Sequence, residues 1–335
     1  MTSFLRRLPS LTRSDFARLA AGTAVAGLAG RGAAAATRWR LATPYPEGNF
    51  QTLSTQFFAE DLAQASDGRL AIDVYPNDSL MPFDRIAPAV MGNQLELGEI
   101  QLSWLGQWLA AAEVDSVPFI ATSYAEARQL WGASRPVFQR LFGRLNLVLL
   151  KAVPWPPVGL ASRVPLNQVE SLSGRRFLVT SPIARAFAQA VGAQPVELSP
   201  AQAPAAFAAG QFDALFVPAF EGLGPLPQGG LVYYDVGAWL PKNAVIMSNA
   251  IYETLASKDQ EMLLELAGAA EARGWGASQQ EYDQRNATLQ RLGVAVEPPS
   301  AALMQGLRSI GDKLARDWLA RAGYDGEDIL RAYRS

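Results

Sequence analysis

With 335 residues, 49% of them hydrophobic and 18% charged, the chain is globular in composition and long enough to bury two separate cores. It holds no cysteine and no histidine, which excludes disulfides, thiolate nucleophiles, Cys or His metal sites and Ser-His-Asp triads. The formal net charge of −2, with no basic cluster after the N-terminus, makes the chain a poor candidate for binding nucleic acid or anionic lipid.

Residues 1–36 read as an export signal. Arg6, Arg7, Arg13 and Arg18 precede an apolar stretch over 19–28, and residues 33–36 offer an A-x-A cleavage site ending at Ala36. Ser14 stands where a twin-arginine signal needs its second arginine, so general secretion to the periplasm is the reading. Cleavage removes five arginines and one aspartate, which takes the net charge from −2 to −6. No later stretch is an apolar run of membrane-spanning length.

The mature part alternates strands and helices. A strand is predicted over 39–43, a helix over 52–65 ended by Asp67-Gly68, a strand through Leu70, Ile72 and Val74, a helix over 83–91 and strands over 95–101 and 146–152. The pattern restarts near Pro157, with strands over 158–162 and 176–180 and a helix over 182–191 opened by Pro182. A strand over 195–198 follows, then a helix over 200–209 capped by Ser199 and closed by Gly210. Strands over 214–218, 231–235 and 244–249 precede long helical patterns over 257–292 and 301–322. Two α/β lobes result, 37–156 and 157–244, completed by about 245–285 and 286–335 respectively, and their sites belong at the carboxyl ends of the strands.

Three stretches are distinctive together: FFAEDLAQASDGRLAIDVYPNDSL (57–80), VESLSGRRFLVTSP (169–182) and VGAQPVELSPAQAPAAFAAGQFDAL (191–215). In order and spacing the chain resembles the solute-binding proteins of TRAP (tripartite ATP-independent periplasmic) transporters, the dicarboxylate-binding DctP family. VPFI (117–120) and WLPKNAVIMSN (239–249) fit the same pattern. The resemblance implies an α/β, two-lobed periplasmic binding protein fold of the type II-like kind, with a long helix spanning both lobes. It implies a carrier and not an enzyme: a small organic acid trapped by hinge closure, then delivered to the small and large permease subunits. The alternative is a receptor that presents its closed form to a sensor kinase. No cofactor, no metal and no nucleic-acid partner is called for.

The resemblance also locates the site, and there the chain departs from the pattern. The family segment usually reads G-x-K-x-R, and its arginine forks onto the ligand carboxylate. Counted from Gly174, that position is Leu178, and Arg176 falls at the usual lysine. A second family arginine maps to Val158, a family asparagine to Val217, and a polar first-lobe contact to Gln101. Loss of a charge-assisted bidentate contact argues against the usual di- or tricarboxylate mode. Arg185, in the first turn of a helix, is either a substitute anchor or an exposed helix residue, and Arg163 poses the same choice.

Aromatic residues supply the rest of the expected wall: Tyr45, Trp104, Trp155, Phe216 and Trp239, with Tyr233 and Tyr234 near the return crossing. With Leu178, Val158 and Val217 they favour an apolar or aromatic solute, neutral or with one carboxylate. Some members of the family bind their acid through calcium, and Glu99, Glu221 and Asp235 are the oxygen donors to compare, although their spacing requires no ion. Asp213 reads as structural.

Overall fold

The computed structural model of the chain describes residues 36–218 and 231–335. The export signal, apart from Ala36, and Glu221 lie outside the described residues. Among the described residues no helix is long and apolar enough to cross a membrane.

In chain order the first half comprises β1 (Thr37–Ala42), α1 (Phe50–Ala65), β2 (Leu70–Tyr75), α2 (Phe83–Met91), β3 (Leu97–Gln101), α3 (Tyr124–Phe142) and β4 (Leu147–Pro154). Next come β5 (Gly159–Ser162), β6 (Arg176–Val179), α4 (Pro182–Ala190), β7 (Gln194–Glu197), α5 (Ala203–Ala208), β8 (Ala214–Val217) and β9 (Val232–Tyr234). The chain ends with β10 (Lys242–Ser248), α6 (Asn249–Tyr252), α7 (Ser257–Arg291), β11 (Ala295–Glu297) and α8 (Ala301–Arg334).

Two sheets form, ordered β2-β1-β3-β10-β4 and β11-β9-β5-β8-β6-β7. In the first, β1 runs parallel to β2 and β3, while β10 returns from the second lobe to pair antiparallel with β3 and β4. The β6 strand sends Phe177 into the core beneath α4 and Leu178 into a separate cluster with Leu215 and Val217, as period-2 alternation requires.

Four segments join the lobes, the last of them α8. One is the β4–β5 link, the second is the β9–β10 link, and hydrogen bonds of Trp155 N–H to Pro241, Val158 N–H to Trp239 and Ala238 N–H to Val158 zip these two together. The third is α7, whose Leu263, Ala267 and Ala270 pack on the first sheet while Leu289 packs in the second lobe. Gly274 permits its close approach: a Cβ there would stand 2.3 Å from Val153 Cγ2. Arg285 of α7 holds Asp235 in the second link through two hydrogen bonds of 2.8 and 2.9 Å.

The end of the chain departs from the expectation that 286–335 completes the second lobe. Leu303, Leu307 and Leu314 of α8 do pack there, but Trp318 and Ile329 belong to the first lobe's core. Trp318 Nε1 donates to Ala110 O at 2.8 Å, and Tyr333 donates to Ile120 O at 3.0 Å. The helix also continues past residue 322, bending at Gly323, whose φ of 54° favours glycine. A second difference is α5, which begins at Ala203 because the Pro200–Gln202 stretch turns beneath Ser199, whose Oγ accepts the Gln202 N–H. The α3 helix, which the predicted elements lack, opens on a capping box formed by Ser123 and Glu126.

Candidate functional site

A cavity of about 410 Å³ lies between the sheets, at the carboxyl ends of β1, β3, β6 and β8. The first lobe lines it with Tyr45 and Asn49 from the loop after β1, Phe83 and Asp84 from α2, Glu99 and Gln101 from β3, and Trp104 beyond it. The links contribute Trp155, Val158, Trp239 and Pro241. The second lobe adds Leu178, Thr180 and Ser181, then Leu215, Phe216, Val217 and Pro218.

Aromatic rings fix much of this wall. Trp155 packs edge-on against Phe50 and tilted against Tyr45, with centroids 5.1 Å apart in each pair. Trp239 sits 4.7 Å from Phe216, and Trp104 sits 5.0 Å from Phe83. The lobes touch beside the cavity, where the Trp104 indole donates across to Thr180 O at 3.2 Å.

Polar groups of the first lobe form one connected network. Asn243 Oδ1 accepts Trp155 Nε1 at 2.9 Å and the Tyr45 hydroxyl at 3.3 Å, so its amide N–H points at Glu99 Oε1, 2.9 Å away. The other Glu99 oxygen accepts Thr55 Oγ1 at 3.4 Å. Lys151 on β4 is buried nearby and donates to Ser54 Oγ at 2.9 Å. Its burial lowers its pKa to about 8, and the opposing attraction of Glu99 is smaller. Burial likewise pushes the Tyr45 hydroxyl up.

No lysine or arginine lines the cavity, and residues 219–230, outside the described residues, contain none. Most of the expected positions come together: Tyr45, Gln101, Trp104, Trp155, Val158, Leu178, Phe216, Val217 and Trp239 all border the one space. Arg185 does not. Its neighbour Ala184 faces the cavity, whereas the Arg185 guanidinium turns to Glu197 of β7 in an exposed ion pair. Arg163 is likewise spent, donating to Phe212 O at 3.0 Å and stacking on the Phe207 ring. Arg176 forks onto Asp213 at 2.6 and 3.1 Å, which gives both residues a structural role and holds the Asp213 carboxyl below its usual range. Tyr233 and Tyr234 are buried in the second lobe and do not line the space.

Of the three oxygen donors weighed for calcium, Glu221 lies outside the described residues and the other two are engaged by protein groups. Asp235 is held by Arg285, Glu99 by Asn243 and Thr55, and no cluster of three metal-ligating side chains occurs among the described residues. Two functional groups escaped the sequence reading: Asn243, and Glu99 as a cavity wall. Both sit in apolar strand patterns, where a single polar residue signals nothing by itself.

Two mixed lobes, helices crossing between them and a cleft at the strand ends are the architecture of a two-lobed binding protein. The model of the bacterial extracellular solute-binding protein family 7, DctP, matches residues 41–320, and the chain belongs to this family. The family is one of extracytoplasmic solute receptors and not a class of enzymes. Among solved structures, the chain is similar to DctP6, a Bordetella pertussis extracytoplasmic solute receptor binding pyroglutamic acid: 33% identity, TM-score 0.84, covering 89% of this chain and 99% of that one. It is similar at 30% identity, with the same TM-score and coverage, to a marine metagenome TRAP solute-binding protein specific for pyroglutamate. A solute-binding protein of Albidiferax ferrireducens is 24% identical over 277 residues, 80% of this chain and 81% of that protein.

Proposed function

We propose that the chain is the periplasmic receptor of a TRAP-type secondary transporter, exported with cleavage near Ala36. It closes on a compact solute carrying one carboxylate, of the pyroglutamate kind, and hands it to the small and large membrane permease subunits. The observation that carries this reading is the cavity wall, aromatic and free of cations. A second buried carboxylate would find no partner there and would cost several kcal/mol. One carboxylate can be met by the hydroxyl groups of Thr180 and Ser181, which border the cavity from the second lobe. The receptors that share 30–33% identity with the chain bind such a solute.

In this reading Tyr45, Trp104, Trp155, Phe216 and Trp239 pack on the solute ring, Gln101 orients it, and Val158, Leu178 and Val217 fill the positions where charged anchors would stand. The zipped links and α7 act as the hinge, and the Trp104–Thr180 bond stabilises the shut form. Thermal denaturation with small-angle scattering tests this. Pyroglutamate at about 100 times its dissociation constant should add roughly 2.7 kcal/mol to stability and reduce the radius of gyration. No stabilisation and no compaction with any small acid would contradict it.

A further inference from the structure

We infer that Glu99 makes the cavity selective for a solute that donates a hydrogen bond, such as a lactam N–H, over an otherwise similar solute that does not. The inference rests on the receptor reading above and adds a chemical requirement to it.

Glu99 borders the cavity yet is only 1% exposed. A carboxylate has room for about four hydrogen bonds. Glu99 receives two, from Asn243 and from Thr55, and no cation lies within 4.0 Å of it among the described residues. Lys151, also buried, directs its ammonium at Ser54.

The indole and hydroxyl donors around it are engaged elsewhere, and Gln101 has given one of its two N–H groups away. The Tyr45 hydroxyl and Trp155 indole both serve Asn243, Gln101 Nε2 serves Ser103 Oγ at 3.0 Å, and the Trp104 indole serves Thr180. Glu99 is therefore a buried acceptor on the cavity wall that still has room for a donor. Asp84, the other acid bordering the cavity, is exposed and keeps its water. A shut cleft removes water from Glu99, so the solute must supply the missing donor or leave the carboxylate under-bonded. A solute carboxylate turned toward Glu99 would be repelled, which orients the acid group toward the second lobe.

Titration calorimetry of the mature protein with a matched pair tests this. Pyroglutamate carries the ring N–H; 3-oxocyclopentane-1-carboxylate has CH₂ in its place. The wild type should prefer the lactam by at least about 50-fold, because sites built around a hydrogen bond reject analogues lacking it. In Glu99→Gln, whose amide turns one acceptor into a donor, the ratio should narrow at least tenfold. If that variant fails to fold, the wild-type ratio alone decides. Equal affinity for the pair in the wild type would overturn the role of Glu99 and leave the receptor reading standing. Failure of both compounds to bind while succinate binds would overturn the receptor's solute class, and this inference with it.

Discussion

At the scale of single residues, the decisive feature is where charge is absent. Leu178 occupies the strand position that carries an arginine in the family pattern, and Phe177 on the opposite face is locked among Phe187 and Phe216. Arg185 was the cation best placed to compensate, and helix geometry turns it away. Successive helical residues differ by about 100°, so with Ala184 on the cavity its neighbour points to Glu197. Arg185→Ala should therefore leave solute affinity within about twofold by calorimetry, since it removes only an exposed ion pair. Asn243 is the opposite case. Asn243→Ala would strip partners from Glu99, Trp155 Nε1 and the Tyr45 hydroxyl at once. It should cost about 2–4 kcal/mol in urea denaturation, more than an ordinary buried hydrogen bond.

At the scale of elements, the alternation and punctuation of the sequence were enough to place α2, β6, α4 and α7 close to their observed bounds. The misses have local causes. The α3 helix carries Gly132 and Pro136 within it, and its stability comes from packing Trp131, Phe138 and Phe142 into the core, which no short-range pattern reveals. The second half of α8 swings back to the first lobe through contacts more than 200 residues apart in sequence. The cavity positions were legible because strand ends and the family spacing locate them. The Glu99–Asn243 pair was not, because its meaning depends on the β3–β10 pairing.

The β4 strand also carries a measurable signature. Burial lowers the pKa of Lys151 from its ordinary 10.5 to about 8, and that of Lys242 in the same direction. Above pH 8 the folded chain releases the Lys151 proton while the unfolded chain keeps it, so stability rises with pH up to about 10. Lys151 alone should contribute a slope of about 1.4 kcal/mol per pH unit at most, and Lys242 adds in the same direction. Beyond pH 10 the buried hydroxyls of Tyr45 and Tyr233, pushed up by burial, reverse the trend. Denaturant titrations from pH 7 to 11 should trace this rise and fall, with a flatter rise in Lys151→Met; stability falling steadily from pH 8 would contradict the assignment.

At the scale of the whole molecule, the two sheets, joined by the zipped links, α7 and α8, flank a cavity that no lysine or arginine lines. The central claim is that the shut cleft accepts one carboxylate and not two. Titration calorimetry of the mature protein with pyroglutamate and with succinate, side by side, tests it most directly. The account predicts a saturable exchange of heat with pyroglutamate and a succinate affinity at least about 100-fold weaker, the equivalent of 2.7 kcal/mol for the unpaired second carboxylate. Succinate binding as tightly as pyroglutamate would mean that a cation reaches the cavity, and the account would fail.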